Sequence, residues 1–546
     1  MNRRHPSRVR TAILQVLLIL PLWTTASAQD EPVDLEVVTL IRNEGLRHSE
    51  VMETLSYLTD VIGPRLTGSP AMREANEWTA ARMTEWGLVN AHLETYGPFG
   101  RGWSFSRCTV HLCAPRQTPL FALPKAWTPG TAGPVRGLVR RVTLESTEDL
   151  EKHKGQLQGL ILLLDDAAEL ELDGDEAFQR HSDDELDELV TFPVPADRAR
   201  RGDRRGGRSR YAGRRAFQKT LLKYLVDEGV LATLSVSSQP NGILRVGGGG
   251  SRQPDESPGV PSLVMAAEHY NLLARLVERE LQVELEIDVE ATFHDGDPMA
   301  FNTVAEIAGS DLADQVVMLG GHLDSWHAGT GATDNAAGCA VMMEAARILQ
   351  ALELKPRRTI RVALWSGEEQ GLLGSRAYVK EHFAYREELE EEEGSENDRP
   401  RQGELILRPE HAGLAAYFNV DNGSGRIRGV YAEENAAVRP IFGAWLEPFV
   451  DLGADTVTLR KTGGTDHGSF QAVGLAGFQF IQDELDYSSR THHTHLDTYE
   501  HVQAEDLKQA SVIVAAFAYH AAMRDEPLPR PPLPRTVGTG RTIPNR

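Results

Sequence analysis

The chain has 546 residues, with 57 Lys and Arg against 79 Asp and Glu, and a formal net charge of −22. Hydrophobic residues make up 41% and charged residues 25%. That balance is ordinary for a protein that buries a core, and it excludes disorder of the whole chain. The net acidity argues against nucleic acid as the main partner, because phosphate binding needs a basic face. Three cysteines are too few for a disulfide scaffold.

The first 28 residues have the pattern of a secretory signal peptide. Four arginines precede an apolar segment, residues 11–23, which is too short to span a bilayer comfortably. Ala26-Ser27-Ala28 then forms a small-residue cleavage site. We therefore expect cleavage after Ala28 and a secreted or periplasmic protein, with a membrane anchor as the alternative. No later stretch approaches the roughly 20 apolar residues of a transmembrane helix, so no stable membrane span is expected.

Two helices are predicted next. Apolar residues at mostly helical spacings predict a helix within 33–60, and a second amphipathic helix is predicted over 71–87. The sequence GPRLTGSP at 63–70 between them is typical of a turn-rich loop. Further on, Cys108 and Cys113 lie close enough in sequence to pair, and two reduced core cysteines are the equal alternative.

From about residue 116 to residue 295 the pattern changes, and we expect a β-rich module of its own. Its predicted elements are a strand at 159–164, a helix at 216–229, a strand at 230–236, a strand at 262–265 and a helix at 267–279.

Charged runs interrupt this module and the region after it. Residues 165–188 hold twelve acids, residues 198–215 hold nine Arg, and residues 387–393 hold six Glu. The Arg-rich run has two interpretations, a patch for nucleic acid or another anionic surface, or a solvated loop partly neutralised by the acidic run beside it. We favour the loop, and we therefore expect no nucleic-acid partner. The proline-rich tail, 526–546, is predicted to be extended or disordered.

Strands and helices alternate between about 300 and 525. The predicted strands are 316–319, 360–365, 414–420 and 476–481, and the predicted helices are 334–350 and 505–523. Such alternation implies a mainly parallel sheet that is covered by helices on both faces.

Residues able to bind a metal follow these strands directly, at the sheet edge where open α/β sheets bind their ligands. They occur in GGHLDS (His322, Asp324), GATDNAAG (Asp334), WSGEEQG (Glu368, Glu369), FNVDN (Asp421) and HHTH (His492, His493, His495). Each has a simpler explanation when taken alone. An isolated Asp at a helix start is usually an N-cap, an Asp after a strand is usually a turn residue, and a histidine cluster can lie on the surface.

Taken together, these residues are enough to place two histidines and three carboxylates on one strand-end face, with a glutamate to spare. Zinc binds imidazole nitrogen and carboxylate oxygen, and a catalytic site keeps one position open for water. Two zinc ions about 3.5–4 Å apart can stabilise a hydrolytic transition state between them.

The ordered set of motifs closely resembles the co-catalytic zinc exopeptidases of the aminopeptidase type, in the branch with an inserted protease-associated domain. The resemblance covers most of the chain. It implies the zinc exopeptidase fold, a mixed and mainly parallel α/β sheet flanked by helices, in two segments, 29–115 and 296–525. The β-rich protease-associated domain would be the insert at 116–295.

Carried over residue by residue, the resemblance implies two zinc ions per chain. His322, Asp421 and Asp334 would hold one ion, and Glu369, His493 and Asp334 would hold the other. His493 is chosen because it stands four residues before the Asp of an H-x-x-x-D-T pattern.

The resemblance also assigns Glu368 as the general base that acts on a metal-activated water. Asp324 is expected to orient the first histidine ligand through its other ring nitrogen. Many relatives carry a tyrosine just before the last histidine ligand, where it donates to the oxyanion, and here His492 takes that position. A cis peptide bond between Asp334 and Asn335 is implied as well.

We therefore predict an exported zinc-dependent metallo-exopeptidase, an aminopeptidase or dipeptidase that acts on short peptides. One alternative is a zinc acyltransferase of the glutaminyl cyclase type, which shares the fold. The other is a non-catalytic binding ectodomain, a class that typically lacks the metal ligands present here. A homodimer is compatible with the sequence.

Overall fold

The computed structural model describes residues 31–170, 177–193, 203–389 and 401–534. The predicted signal peptide lies outside these residues, as do parts of the charged runs and the end of the tail. From Val33 onward the described residues belong to one compact unit. No helix of this described part is both long and apolar enough to cross a membrane.

The described residues contain twelve α-helices and eighteen strands. The helices are α1 Leu35–Arg47, α2 Val51–Ser56, α3 Pro70–Glu85, α4 Thr147–His153, α5 Asp183–Val190, α6 Asp203–Asp227, α7 Ala267–Glu278, α8 Ala337–Ala351, α9 Leu373–His382, α10 Arg439–Leu446, α11 His467–Gln471 and α12 Ala504–Met523. The strands are β1 Val89–Pro98, β2 Gly102–Ala114, β3 Thr118–Leu120, β4 Ala122–Pro124, β5 Val135–Arg141, β6 Leu160–Leu163, β7 Ala232–Val236, β8 Ser262–Met265, β9 Glu284–His294, β10 Met299–Ile307, β11 Leu312–His322, β12 Arg358–Trp365, β13 Ala384–Leu389, β14 Arg401–Leu407, β15 Leu414–Asn419, β16 Ile427–Tyr431, β17 Thr456–Thr458 and β18 Gly477–Gln482.

The first sheet has eight strands in the order β1-β10-β12-β11-β15-β18-β16-β17. Its four central strands, β12, β11, β15 and β18, run parallel, and antiparallel pairs lie towards both edges. The register places His322 opposite Trp365, so the carboxyl ends of these strands reach the same edge. The predicted fold class, a mixed and mainly parallel sheet flanked by helices, is confirmed.

Both faces of the first sheet are covered, and the sequence of β11 shows why. Val317 and Leu319 pack into the larger apolar cluster, which also contains most of α8 and α12. Met318, between them, packs into the cluster on the opposite face with Trp365 and Tyr417. Successive side chains of a strand point to opposite faces, so a continuous apolar run is what a doubly covered strand requires. Each such buried side chain stabilises the fold by about 1.5–3 kcal/mol.

The second sheet has eight strands in the order β3-β2-β9-β5-β6-β7-β8-β4. It contains every strand that the sequence predicted for the inserted module. It also contains β2, which pairs antiparallel with β9 from Gly102 opposite His294 to Ala114 opposite Glu284. This sheet therefore starts before residue 116, where the sequence pattern changes.

The cysteines do not form a disulfide. Cys108 and Cys113 both lie on β2 and both thiols are free, as is that of the buried Cys339. Five positions along one extended strand are about 16 Å apart, well beyond the span of a disulfide. The structure therefore supports the alternative of reduced cysteines.

The charged runs are more ordered than the sequence predicted. The described part of the Arg-rich run begins α6, so it is helical where we expected a solvated loop. The start of the third run, residues 387–389, forms the end of β13, which pairs with β14. The described part of the tail has no helix or strand, as expected, but Leu528 is buried, so this part is packed against the core.

Part of the acidic run forms an arm, which we define as residues 177–193. The backbones of Gln179 and Leu485 exchange two hydrogen bonds of 2.7 Å. Arg180 forms ion pairs with the buried Asp483 at 2.9 Å and with the buried Asp506 at 2.8 Å. The arm therefore holds the outer side of the loop that leads from β18 to the histidine cluster.

Candidate metal centre

The predicted metal-binding residues converge at the carboxyl edge of the first sheet. His322 ends β11, Asp421 follows β15 by two residues, Glu368 and Glu369 follow β12, Asp334 precedes α8, and His493 lies in the loop after β18. Parallel strands with their ends in register bring these segments together.

One group of three forms around His322. Its Nε2 lies 3.1 Å from Oδ1 of Asp421 and 3.2 Å from Oδ1 of Asp334, and all three side chains are almost fully buried. Burial lowers the pKa of His322, but the neighbouring carboxylates outweigh burial and leave the pKa well above its ordinary value. The imidazole is thus held in a strongly negative environment.

A second group of three forms around His493. Its Nε2 lies 3.0 Å from Oε2 of Glu369 and 3.3 Å from Oδ2 of Asp334. Asp334 therefore turns one carboxylate oxygen towards each group, and the two groups share this residue. This is the arrangement that a carboxylate bridging two cations would need.

The donor set fits a metal on observations of the structure itself. Oδ2 of Asp334 and Oε1 of Glu369 are buried and accept no hydrogen bond. Burial, followed by the charge of Asp334, raises the pKa of Glu369 well above its ordinary range. Buried carboxylate oxygens without donors are costly unless a cation pairs with them. Imidazole nitrogens and carboxylate oxygens at one point are the ligands that zinc prefers.

The backbone around Asp334 separates this residue from the helix that follows it. The peptide bond between Asp334 and Asn335 is cis, as the resemblance implies. Asn335, and not Asp334, accepts the hydrogen bond from the backbone N–H of Gly338, at 3.0 Å. The N-cap explanation for Asp334 is therefore wrong, and its carboxylate is free to face the centre.

Asp324 contacts the centre in a different way from the one predicted. Nδ1 of His322 lies 2.9 Å from the backbone oxygen of Asp324 but 3.7 Å from its carboxylate. The carbonyl comes nearer because only one residue separates the two. The carboxylate instead accepts hydrogen bonds from the backbone N–H groups of Glu368 at 3.2 Å and Glu369 at 3.4 Å, and from the hydroxyl of Thr67 at 2.9 Å. Asp324 thus positions the glutamate pair.

Glu368 stays outside both groups of three but lies beside them. Burial is the main reason why the pKa of Glu368 is raised to about 11; the carboxylates of Asp421, Asp466 and Glu369 add to the rise, and His322 opposes it. A cation bound beside Glu368 would favour its ionised form and lower this pKa towards the range in which a carboxylate serves as a general base.

The histidine cluster divides into three different roles. His493 enters the centre, as predicted from the H-x-x-x-D-T pattern. His492 lies at the edge of the centre, with its Nε2 3.9 Å from Oδ2 of Asp334 and its ring 3.9 Å from that of His493. Burial and the neighbouring His493 lower the pKa of His492 to about 4, so the ring is neutral. His495 points away from the centre, and its Nδ1 accepts a hydrogen bond from the backbone N–H of Leu244, which lies between β7 and β8.

Arg65 is a buried residue that connects the centre to the core by hydrogen bonds, and sequence reasoning did not identify it. Its side chain is fully buried in the loop before α3. It donates to the backbone oxygens of Leu323 at 2.7 Å, Thr330 at 2.8 Å and Gly331 at 2.8 Å, and also to those of Leu58 and Gly63. Arg65 thus fixes the segments that follow His322 and precede Asp334. The only signal in the sequence was its position in GPRLTGSP.

Asp497 and Tyr487 were also missed as parts of the site. The buried carboxylate of Asp497 accepts from the backbone N–H of Thr333 at 2.6 Å and from that of Asp334 at 3.2 Å. Burial raises the pKa of Asp497 to about 7. The ring of Tyr487 lies 4.7 Å from that of His492. In the sequence, Asp497 is the Asp of the H-x-x-x-D-T pattern that identifies His493.

This fold and this centre define a metallo-exopeptidase, and comparison with known proteins agrees. Residues 302–518 match the peptidase family M28. Carboxypeptidase Q of Bos taurus is 26% identical over 488 residues, which cover 89% of this chain and 88% of the relative. Aminopeptidase YwaD of Bacillus subtilis is 28% identical over 213 residues, or 39% of this chain and 42% of the relative.

Solved structures share the fold. A peptidase M28 precursor from Shewanella amazonensis has a TM-score of 0.63 and 23% identity, covering 92% of this chain and 98% of its own. BSAP, a zinc aminopeptidase from Bacillus subtilis, has a TM-score of 0.52 and 18% identity, covering 87% and 95%. These findings confirm the resemblance to the co-catalytic zinc exopeptidases and the predicted enzyme class, a zinc-dependent metallo-exopeptidase.

Proposed function

We propose that this chain is an exported di-zinc exopeptidase that hydrolyses peptide bonds of short peptides, with Glu368 as general base. The observation that carries the proposal is the pair of three-residue groups that share Asp334. His322 and Asp421 would hold one zinc ion together with Asp334, and Glu369 and His493 would hold the other. Export rests on the sequence of residues 1–28.

Zinc bound in this centre would activate a water molecule as a nucleophile and polarise the scissile carbonyl. Glu368 takes a proton from the attacking water and delivers it to the leaving amine. Asp324 holds the backbone of Glu368 and so fixes where that carboxylate points. His492, neutral and at the edge of the centre, donates a hydrogen bond to the oxyanion that develops.

The names of the relatives, carboxypeptidase Q and aminopeptidases, support an exopeptidase over an acyltransferase of the glutaminyl cyclase type. So does the second sheet, since all of its strands except β2 lie in the inserted protease-associated domain that we propose for 116–295, between peptidase segments 29–115 and 296–525. A non-catalytic ectodomain is disfavoured because every proposed ligand and Glu368 are present and converge.

The replacement Glu368→Gln tests the proposal. It keeps the size of the side chain but removes the proton acceptor, so we expect kcat for a dipeptide to fall by about 10²–10⁴-fold while the zinc content is unchanged. Glu434→Gln, on the surface, is the matched control and should retain the activity of the parent. Parent-like turnover by the Glu368→Gln variant would refute the assignment of the base.

A further inference from the structure

The two histidines of the loop after β18 are the most exposed side chains around the two groups of three. The side chains of His492 and His493 are 36% and 31% exposed. Those of the other four residues of the two groups are each exposed by less than a tenth: His322, Asp334, Glu369 and Asp421. The two exposed imidazoles therefore mark a side from which a substrate can reach the centre.

A short segment of the inserted module lies along this open side. Residues 243–246 run next to the histidine loop, 492–495, and the two are joined by hydrogen bonds. The backbone N–H of Val246 donates to the oxygen of His493 at 3.0 Å, and that of His495 donates to the oxygen of Leu244 at 3.1 Å. The insert thus contributes a wall next to the proposed ligand His493.

The glycine run that follows holds this segment in place. The N–H groups of Gly249 and Gly250 donate to the backbone oxygen of Ala126, at 3.0 and 3.1 Å. A Cβ atom at Gly250 would lie 1.7 Å from the backbone oxygen of Trp127, so only glycine allows this close approach. These contacts fix the backbone of residues 243–246 beside the metal centre.

Arg245 is the charged residue of this segment. Its Nε donates to the backbone oxygen of His492 at 3.1 Å. It forms no ion pair among the described residues, although several carboxylates surround the centre. Its positive charge reaches both exposed imidazoles, where it adds to the effect of burial in lowering the pKa of His492 and of His493. The two terminal nitrogens of the guanidinium are left for a ligand.

We propose that Arg245 binds the C-terminal carboxylate of the substrate, so that the enzyme acts on short peptides with a free C-terminus. The guanidinium fork matches a carboxylate through two parallel hydrogen bonds, and Nε is already used to fix its orientation. A terminal carboxylate is the one anion that all unmodified peptides share, so this contact demands no particular side chain. The inference rests on the proposed function and specifies its substrate class.

A second arginine near the centre, Arg65, is not suited to bind the substrate carboxylate. Arg65 also lies near the centre, but it is buried and its guanidinium donates to five backbone oxygens. Its guanidinium is fully buried and already engaged with the backbone, so a substrate does not reach it.

The test compares an unblocked dipeptide with the same dipeptide carrying a C-terminal amide. We expect the parent to prefer the free acid by about 10²-fold in kcat/KM, the scale of a lost charge-paired contact. Arg245→Gln should lower kcat/KM for the free acid to about that of the amide, with unchanged zinc content. Arg245→Lys should keep part of the preference. Arg136→Gln, on a surface strand of the insert, is the control and should keep all of it.

Two results would overturn the inference and leave the proposed function standing. One is equal hydrolysis of the acid and the amide by the parent. The other is an equal loss for both substrates in the Arg245→Gln variant, which would mean that Arg245 only supports the histidine loop. If zinc-loaded parent protein hydrolyses neither substrate, both the inference and the proposed function fail.

Discussion

Replacing Arg65 by lysine should destabilise the protein and weaken the metal centre together. The guanidinium of Arg65 donates to five buried backbone oxygens, including those of Leu323, Thr330 and Gly331. The oxygens of Leu58 and Gly331 also accept from backbone N–H groups, whereas those of Gly63, Leu323 and Thr330 have no other donor among the described residues. A lysine ammonium carries its three donors on one nitrogen and cannot replace both Nε and Nη1, so at least one of these three oxygens loses its partner. A buried acceptor left without a donor costs about 1–3 kcal/mol, and we expect a loss of at least that size in the free energy of unfolding.

Urea denaturation followed by fluorescence measures this loss. Arg73→Lys is the matched control, because Arg73 is exposed, forms an ion pair with Glu77 on its own helix and lies over the ring of Phe301, contacts that a lysine can also make. Its replacement should change stability by less than about 1 kcal/mol. The Arg65→Lys variant should also release zinc to a chelator more readily than the parent. If its unfolding midpoint and zinc release both match those of the control, Arg65 does not tie the centre to the core.

Two further outcomes follow from buried contacts near the centre. Asp497→Asn removes the charge that holds the N–H groups of Thr333 and Asp334, so zinc affinity should fall about 10–100-fold in a chelator competition, and an unchanged affinity would count against this contact. His501 donates a hydrogen bond from Nδ1 to the carboxylate of Asp486, which raises the pKa of His501, so this pair stabilises the fold below the ordinary histidine pKa of about 6.5 and loses its contribution as pH rises through the raised value. His501→Gln should therefore lower the unfolding midpoint more at about pH 5.5 than at about pH 8.5, and an equal loss at both would contradict this.

Much of the fold was predictable because its pattern is local. The apolar runs of β11 and β12 and the helical spacings of α8 and α12 identify buried elements of a covered sheet. Strand β2 was missed because its partner β9 lies almost 180 residues later, and its own burial pattern alternates irregularly. The Arg-rich start of α6 was taken for a loop because charge composition alone does not separate a solvated helix from a coil.

The site was predictable where residues follow strands, and not where distant segments meet. His322, Asp421 and the glutamate pair are found from their position after buried strands. The burial of Arg65 and the contact of Arg245 with the histidine loop join residues about 250 apart, and nothing in the local sequence indicates them. The backbone oxygen of Asp324, rather than its carboxylate, contacts His322 because side-chain orientation depends on the loop conformation.

Titration of zinc into metal-free protein, with hydrolysis of a dipeptide as the readout, tests the central claim most directly. The account requires that the two groups sharing Asp334 each hold one ion and that both ions serve the same reaction. Activity should therefore rise and reach its plateau at two equivalents of zinc per chain. A plateau at one equivalent, or no hydrolysis at any zinc level, would contradict the account.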